Sequence, residues 1–532
     1  MMELPLNSWV LFEHAPLYAP HAELVSRDPS GRTERWTYAD FGRRTQQLMH
    51  ALDGLGLDRG DVVASLAWNS ARHLEAYFGV PCTGRVLHTL NARLSAEDLA
   101  FIMDDAEDKV VLVDPDLLPL LEKSAEHHAL PDHVIVFGDQ VPETSIPGVI
   151  AYEDLIADEP ESYPRQHIDE WEPMGLCYTS GTTGRPKAAV YTHRSTFLHA
   201  LAVTSHAGMS IGPGDSVLPQ VPMFHANAWG MPYAAAAVGA KQVFFAGPLD
   251  ASDFVDLLVA ERVTVAAGVP TVWLGVADEL AARGEHLADM RHIVCGGAQP
   301  PRAMIERYAA DFDLRIIQAW GMTETSPLAS MAWPQERMRD WDDEAITIAA
   351  RTQAGLPLPG ITISVRDDAG MEMPTDGTSM GDLCVRGPWV IDSYLHGEGS
   401  DSFTDDGWFK TGDVAIASPD GYFVIADRTK DLIKSGGEWI SSVEMEAAVM
   451  EMNDVTEAAV IAVPDPKWLE RPLVCLVPVV GAEVTTEQVR DHLSSKGFAK
   501  WQLPDRIEVI EAVPRTTVGK FDKKVLRNRF GS

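Results

Sequence analysis

The sequence predicts an α/β protein of more than one domain, and three observations carry that prediction. Short apolar runs of buried-strand type alternate with helix-like stretches through the first two-thirds of the chain. After Gly355 the pattern changes to short alternating strands between Gly, Pro and Asp turns, the mark of a small β-rich subdomain. Near Arg428 it changes again, to the outline of a compact α+β unit of about 100 residues. A length of 532 residues exceeds what one ordinary core organises.

Taken in order, residues 33–41 read as a short strand, a turn and a helix beginning at Tyr38 or Asp40. That helix carries Thr45, Leu48, Ala51 and Leu52 towards a stop at Gly54 and Gly56. Residues 61–67, 110–114 and 133–137 are apolar runs suited to buried parallel strands, with a helix over 73–80 between the first two. The polar, Pro- and acid-rich stretch 140–171 reads as a connection. Further strands are expected at 243–245, 263–267, 292–295 and 315–318, then at 361–365 and 382–385. At the end, 444–450 and 486–494 read as helices, and 457–463 and 473–480 as strands.

Composition excludes several classes. The chain is 45% apolar and 23% charged, ordinary for a globular enzyme, and no run of about 18 apolar residues is present to span a bilayer. The N-terminus lacks the basic and apolar regions of a secretory signal, and five scattered cysteines without C-x-x-C spacing argue for reduced thiols rather than disulfides or zinc. A cytoplasmic location is the expectation. The formal charge of −35 argues against nucleic acid as a partner, so an anionic ligand needs a local cationic site. Lys520, Lys523, Lys524, Arg527 and Arg529 form one candidate, although such a basic end is ordinarily a solvated helix face.

Seven stretches carry chemistry. Tyr178-Thr179-Ser180-Gly181-Thr182-Thr183-Gly184-Arg185-Pro186-Lys187 is a loop of glycines and hydroxyl residues closed by a lysine, fit to donate to phosphate oxygens. It is not the G-x-x-x-x-G-K-[ST] loop of P-loop proteins. His225-Ala226-Asn227-Ala228-Trp229 sets a histidine and an indole in an apolar surrounding. Gly296-Gly297 ends a strand, where ligands lie in α/β sheets. Gln318-Ala319-Trp320-Gly321-Met322-Thr323-Glu324 pairs a flat aromatic with a Thr-Glu able to hold a hard cation. Lys410-Thr411-Gly412-Asp413 reads as a tight turn presenting one carboxylate, and residues 427–439 as a charged linker ending in glycines. Pro514 to Lys520 places a lysine on a glycine loop. Alone, each stretch reads equally as an ordinary turn, cap, core histidine or linker.

Together, in this order, they resemble the adenylate-forming enzymes: acyl-CoA synthetases, luciferase and peptide-synthetase adenylation domains. The resemblance runs from about Trp36 to Arg527. Residues 225–229, 433–442 and 498–504 are most similar to the bacterial fatty-acyl-CoA ligase branch, which includes 3-methylmercaptopropionyl-CoA ligases.

The resemblance implies a fold of α/β class: a large N-terminal domain, 1–428, of stacked, mostly parallel α/β sheets with a β-rich subdomain at about 355–428, and a small mobile α+β C-terminal domain, 429–532. It implies ATP, Mg²⁺ and coenzyme A as co-substrates and cofactor, a small carboxylic acid as substrate, and a homodimer as the assembly to look for. By similarity, Thr179, Ser180, Gly181, Thr182, Thr183, Gly184 and Lys187 cradle the β- and γ-phosphates, and Thr179 and Glu324 hold the metal. Trp320, where many relatives have tyrosine, stacks on adenine, with Gly297, Gln318, Ala319 and Gly321 around it. Thr323 contacts the α-phosphate, Asp413 accepts from both ribose hydroxyls and Arg428 supports the ribose. Lys520 is implied to bridge the carboxylate and the α-phosphate in the first half-reaction. Lys430 is the implied hinge, and Lys434, Gly436, Gly437, Glu438 and Trp439 the loop that serves coenzyme A. His225 and Trp229 are implied to line the acid pocket beside residues 234–238. Leu469 departs from a family position often small or polar.

The expected reaction is therefore ATP-dependent ligation of a hydrophobic, fatty or thioether monocarboxylate to coenzyme A. The alternative keeps adenylation but activates an aryl acid or nitrite, or uses an amine or carrier-protein thiol as acceptor. A non-catalytic scaffold is disfavoured by the presence of Lys520, Glu324 and Asp413.

Overall fold

The computed structural model describes residues 2–179, 185–247, 250–429, 431–435, 438–479, 481–515 and 521–531, without the side chain of Glu438. Expectations placed on Ser180, Gly181, Thr182, Thr183, Gly184, Lys430, Gly436, Gly437, Lys520 and the Glu438 side chain lie outside the described residues. The chain divides into two compact units, residues 1–362 with 386–401, and residues 363–385 with 402–532.

The first unit is built on two sheets. One has seven strands, and its centre is formed by Val62–Leu66, Val86–Thr89 and Asp108–Val113, paired in parallel. Pro173–Tyr178 continues it in parallel and Ala188–Thr192 closes that edge antiparallel. The other has nine strands, with Ser216–Pro219, Val265–Gly268, His292–Cys295 and Ile316–Gly321 as a parallel run. The near-continuous apolar character of these strands follows from helices covering both faces.

One buried cluster joins both sheets through a shared helical layer. It takes Leu24 and Phe244 from the nine-stranded sheet and Val63, Leu87, Val110 and Ile135 from the seven-stranded one. Between them lie residues of the helices Ser8–Tyr18, Tyr38–Gly54, Ala71–Gly79 and Met231–Val238. The stacked, mostly parallel architecture expected from the sequence is thus present. The helix Tyr38–Gly54 takes the earlier of the two expected starts, because Thr37 is its cap: the Thr37 hydroxyl accepts from Asp40 N–H, and Asp40 accepts from Thr37 N–H. Among the described residues no helix is long and apolar enough to cross a membrane.

An ion-pair network locks this layer. Arg44 donates to Glu75 at 2.6 Å and to Glu153 at 2.7 Å, and Tyr152 O–H donates to Glu75 at 2.7 Å. Glu75 is fully buried, so removing its cation strands a carboxylate in the core. Arg44→Ala is expected to lower the stability of this unit by about 3–5 kcal/mol. Denaturant titration checks it, and a loss below about 1 kcal/mol would show that the pair is not a structural anchor.

The second unit carries a four-stranded antiparallel sheet, Thr362–Arg366, Met380–Arg386, Phe409–Ala417 and Phe423–Arg428 in spatial order. It also holds a five-stranded sheet centred on the long hairpin of Val455–Asp465 and Leu469–Pro478. The stretch 427–439 is not the linker its charge suggests, since Ile433–Ser435 and Glu438–Ile440 pair as strands at the edge of that sheet. Nor is the basic end all solvated: Lys523 is buried, donating to Glu446 at 2.7 Å and to the Ser442 hydroxyl at 2.6 Å.

Candidate active site

In the first unit the phosphate-loop candidate joins two antiparallel strands, Pro173–Tyr178 and Ala188–Thr192, and Thr179 N–H donates to Lys187 C=O at 2.9 Å. A strand-to-strand connection replaces the strand-to-helix turn of P-loop proteins. Lys187 stands with its ammonium 5.5 Å from the centroid of the Tyr394 ring. The Tyr394 hydroxyl donates to Glu324 Oε1 at 2.7 Å. Tyr394 thus stands between the loop lysine and the turn carboxylate, and an isolated β-bridge between Tyr394 and Ala189 holds it there.

Glu324 lies on a single 3₁₀ turn, Thr323–Thr325, directly after the strand Ile316–Gly321. Its side chain is buried, its C=O accepts from Ile391 N–H at 2.9 Å, and the preceding Thr323 C=O accepts from the Tyr191 hydroxyl at 2.7 Å. A buried carboxylate on an anchored turn fits a hard cation that takes its other ligands from phosphate and water. Among the described residues no group of three or more His, Cys, Asp or Glu gathers as an all-protein metal site. Strand Ile316–Gly321 bulges between Trp320 and Gly321. Gly321 is required there, since a Cβ would lie 1.9 Å from Pro327 C=O. Gln318 is buried and its Oε1 has no partner among the described residues, an acceptor open to a ligand N–H.

Strand His292–Cys295 runs beside this one, Cys295 opposite Gln318. It ends at Gly296 and Gly297, the latter at φ +77°. The Trp229 indole packs here: a Cβ on Gly296 would lie 3.1 Å from its ring and one on Gly297 3.8 Å from it. Trp229 reaches this place through an unusual backbone. Ala226, Asn227, Ala228, Trp229 and Gly230 all have positive φ, from 42° to 73°. For L-residues a left-handed turn costs about 1–2 kcal/mol per residue, so four consecutive non-glycine residues need strong support from their surroundings. His199 gives part of it. A Cβ on Gly230 would lie 2.5 Å from the imidazole, whose Nε2 accepts from Leu328 N–H at 3.0 Å. Burial pushes His199 down to about 3, which keeps it the neutral acceptor this contact needs. His225, half-buried, precedes the turn.

The second unit holds the other expected site residues. Asp413 lies not on a turn but within the strand Phe409–Ala417, directly across from Arg428, and the two form an ion pair at 2.7 Å. The period-2 pattern of that strand is broken at Gly412, φ +70°, which gave it the look of a turn. Lys434 sits opposite Trp439 with its ammonium 4.9 Å from the ring, and its N–H donates to Glu470 at 2.8 Å. Leu469 adopts φ +74°, a left-handed position where a small or polar residue is the easier choice.

Known proteins match this chain over nearly its whole length. Residues 12–395 match the AMP-binding enzyme family and residues 444–520 the AMP-binding enzyme C-terminal domain. The chain belongs to the AMP-binding enzyme family. It is 44% identical over 533 residues to a long-chain-fatty-acid–CoA ligase of Thermus thermophilus, covering 100% of this chain and 96% of that one. It is 40% identical to a 3-methylmercaptopropionyl-CoA ligase of Ruegeria pomeroyi, covering 100% and 98%. Among solved structures it is similar to the anthranilate CoA ligase AuaEII in complex with anthranoyl-AMP, with a TM-score of 0.87 at 25% identity over 99% of this chain and 98% of that one. It is an enzyme of the AMP-forming acyl-CoA synthetase class.

Tyr394, Tyr191, His199 and Asn227 are the residues sequence reasoning missed. No local motif marks Tyr394, which lies 70 positions from Glu324. Asn227 carried a weak signal, since asparagine tolerates left-handed backbone better than most residues.

Proposed function

We propose that this enzyme activates a hydrophobic aliphatic monocarboxylate, a fatty or thioether acid, and transfers it to coenzyme A. In the first half-reaction a carboxylate oxygen attacks the α-phosphorus, the bond to the β-phosphate breaks and pyrophosphate leaves. In the second the coenzyme A sulfur attacks the acyl carbon, the thiol proton passes to solvent and AMP leaves.

The observation that carries the reading is the meeting at Gly296–Gly297. The Trp229 indole packs there, followed by the Ala-rich helix Met231–Val238, while the neighbouring strand leads to Trp320, Thr323 and Glu324. An apolar wall and an anion-handling turn therefore adjoin, as joining a greasy acid to a phosphate requires. The names of the two relatives, one for long-chain fatty acids and one for a thioether acid, support the same substrate class.

The residue roles follow. Trp320 stacks on adenine with Gly297, Ala319 and Gly321 around it, and the open Gln318 acceptor takes the amino group. Thr179, Lys187 and the loop residues Ser180 to Gly184 hold the outer phosphates, and Thr323 the α-phosphate. Glu324 with Thr179 would hold Mg²⁺, which supplies charge neutralisation on the phosphates when bound. Asp413, oriented by Arg428, accepts from the ribose hydroxyls. His225 and Trp229 bound the acid, and Lys434 to Trp439 serve coenzyme A.

The test is AMP release across straight-chain, thioether and aryl acids, with and without coenzyme A, with free thiol followed in parallel. The expected result is highest kcat/KM on an aliphatic acid with one thiol lost per AMP. AMP release without thiol loss, or a preferred aryl acid, would overturn the reading.

A further inference from the structure

The left-handed turn 226–230 is clamped from three separate elements. On the strand Pro173–Tyr178, Cys177 donates its thiol to Asn227 Oδ1 at 3.4 Å. On the helix Ala71–Gly79, the Tyr77 hydroxyl lies 3.4 Å from the same Oδ1 and donates to Met223 C=O. On the helix His193–Thr204, His199 abuts Gly230. Asn227 and Cys177 are both buried, so their contacts are made in a setting where an unmet polar group is costly.

The turn ends on Trp229, whose indole reaches the double glycine. A left-handed run of this kind has no local propensity to persist, so its geometry depends on the clamp. We infer that Asn227 and Cys177 are positioning residues for the acid: their contact holds the turn so that Trp229 meets Gly296–Gly297, and thereby sets which acyl chains the enzyme accepts. Cys177 is two residues from Thr179, so the strand that carries the phosphate loop also carries the support of the acyl wall. The inference rests on the reading that Trp229 bounds the acid.

Four variants separate the possibilities. Asn227→Gly keeps the left-handed backbone open at no steric cost and removes only the side-chain contact. It is expected to shift the preferred acid chain length and to lower kcat/KM for the best acid about tenfold, with the KM for ATP changed less than about twofold. Cys177→Ala is expected to shift the profile in the same direction, and Cys177→Ser, whose hydroxyl can still donate to Asn227 Oδ1, to restore it. Combined Asn227→Gly and Cys177→Ala should cost less than the sum of the two single changes, because both remove the Cys177–Asn227 contact.

A wild-type acid profile in Asn227→Gly, or an even loss across all acids with a raised ATP KM, overturns the inference. Should that variant not fold, the comparison of Cys177→Ala with Cys177→Ser decides in its place: no difference between them overturns it. Trp229→Ala is the control. If it leaves the profile unchanged, the acid-site reading itself fails; if it moves the profile and the clamp variants do not, only the present inference fails.

Discussion

Lys520→Ala is expected to stop acyl-adenylate formation while leaving thioester formation from a supplied acyl-adenylate near normal. Lys520 lies outside the described residues, so this expectation rests on its place in the family pattern and on charge. A carboxylate and an α-phosphate are both anions, and bringing them to bonding distance in a site that excludes water is opposed by repulsion that water no longer screens. One ammonium between them offsets that repulsion most when the two are closest, in the transition state. Removing such a charge typically costs about 2.7–4 kcal/mol, on the order of 10²–10³ in rate. The second half-reaction expels AMP from an acyl group already bonded, so no second anion needs to be brought in and the ammonium is dispensable. ATP–pyrophosphate exchange measures the first step, and thiol loss from purified acyl-adenylate the second. Exchange that survives the substitution, or equal loss of both steps, would show that Lys520 does other work. The net charge of −35 makes a single well-placed cation more valuable, because the surrounding field opposes the nucleotide.

Glu324→Gln is expected to lower ATP–pyrophosphate exchange about 10²-fold and to raise the Mg²⁺ concentration needed for half-maximal rate. The substitution keeps shape and hydrogen bonding but removes the charge. Glu324 is buried, with Oε1 accepting the Tyr394 hydroxyl at 2.7 Å and its backbone pinned by Ile391. A carboxylate held this firmly is prepared to receive a hard cation without reorganising. Tyr394→Phe separates charge from placement. It leaves the carboxylate and removes one hydrogen bond to a charged group, worth about 1.5–3 kcal/mol, so a roughly tenfold loss with a smaller change in Mg²⁺ dependence is expected. Calorimetric titration of ATP with and without Mg²⁺ should show the metal's contribution to binding shrink in Glu324→Gln. Exchange within about threefold of wild type at low Mg²⁺ would remove Glu324 from that role.

Much of the fold was legible because its strands are buried on both faces and so read as apolar runs. The strands at Val62–Leu66, Asp108–Val113, His133–Val136 and His292–Cys295 fall where those runs do. The helix Pro270–Arg283 was not anticipated, although Trp273, Val276, Ala277 and Leu280 line one buried face of it. The helix Met231–Val238 was missed because it is apolar all round, which leaves no period to read. Asp413 was misplaced onto a turn for the opposite reason. Gly412 carries a turn signal, but cross-strand pairing with Phe423–Arg428 overrides it.

The site divides in the same way. Sequence by itself determined which chemistry is present: the glycine-hydroxyl loop with Lys187, the Trp320–Glu324 stretch, Asp413 and Lys520 are short segments whose residue types and order are enough to name the family. Tertiary structure alone decided what holds them. Tyr394 between Lys187 and Glu324, Asp413 across from Arg428, and the Cys177–Asn227 clamp under Trp229 join residues far apart in the chain. The physical reason is one of range. A loop's affinity for phosphate is written in its own backbone and side chains. The partner that orients a buried carboxylate, or holds a turn in an unfavourable left-handed form, is chosen by packing and leaves no periodic mark in the sequence.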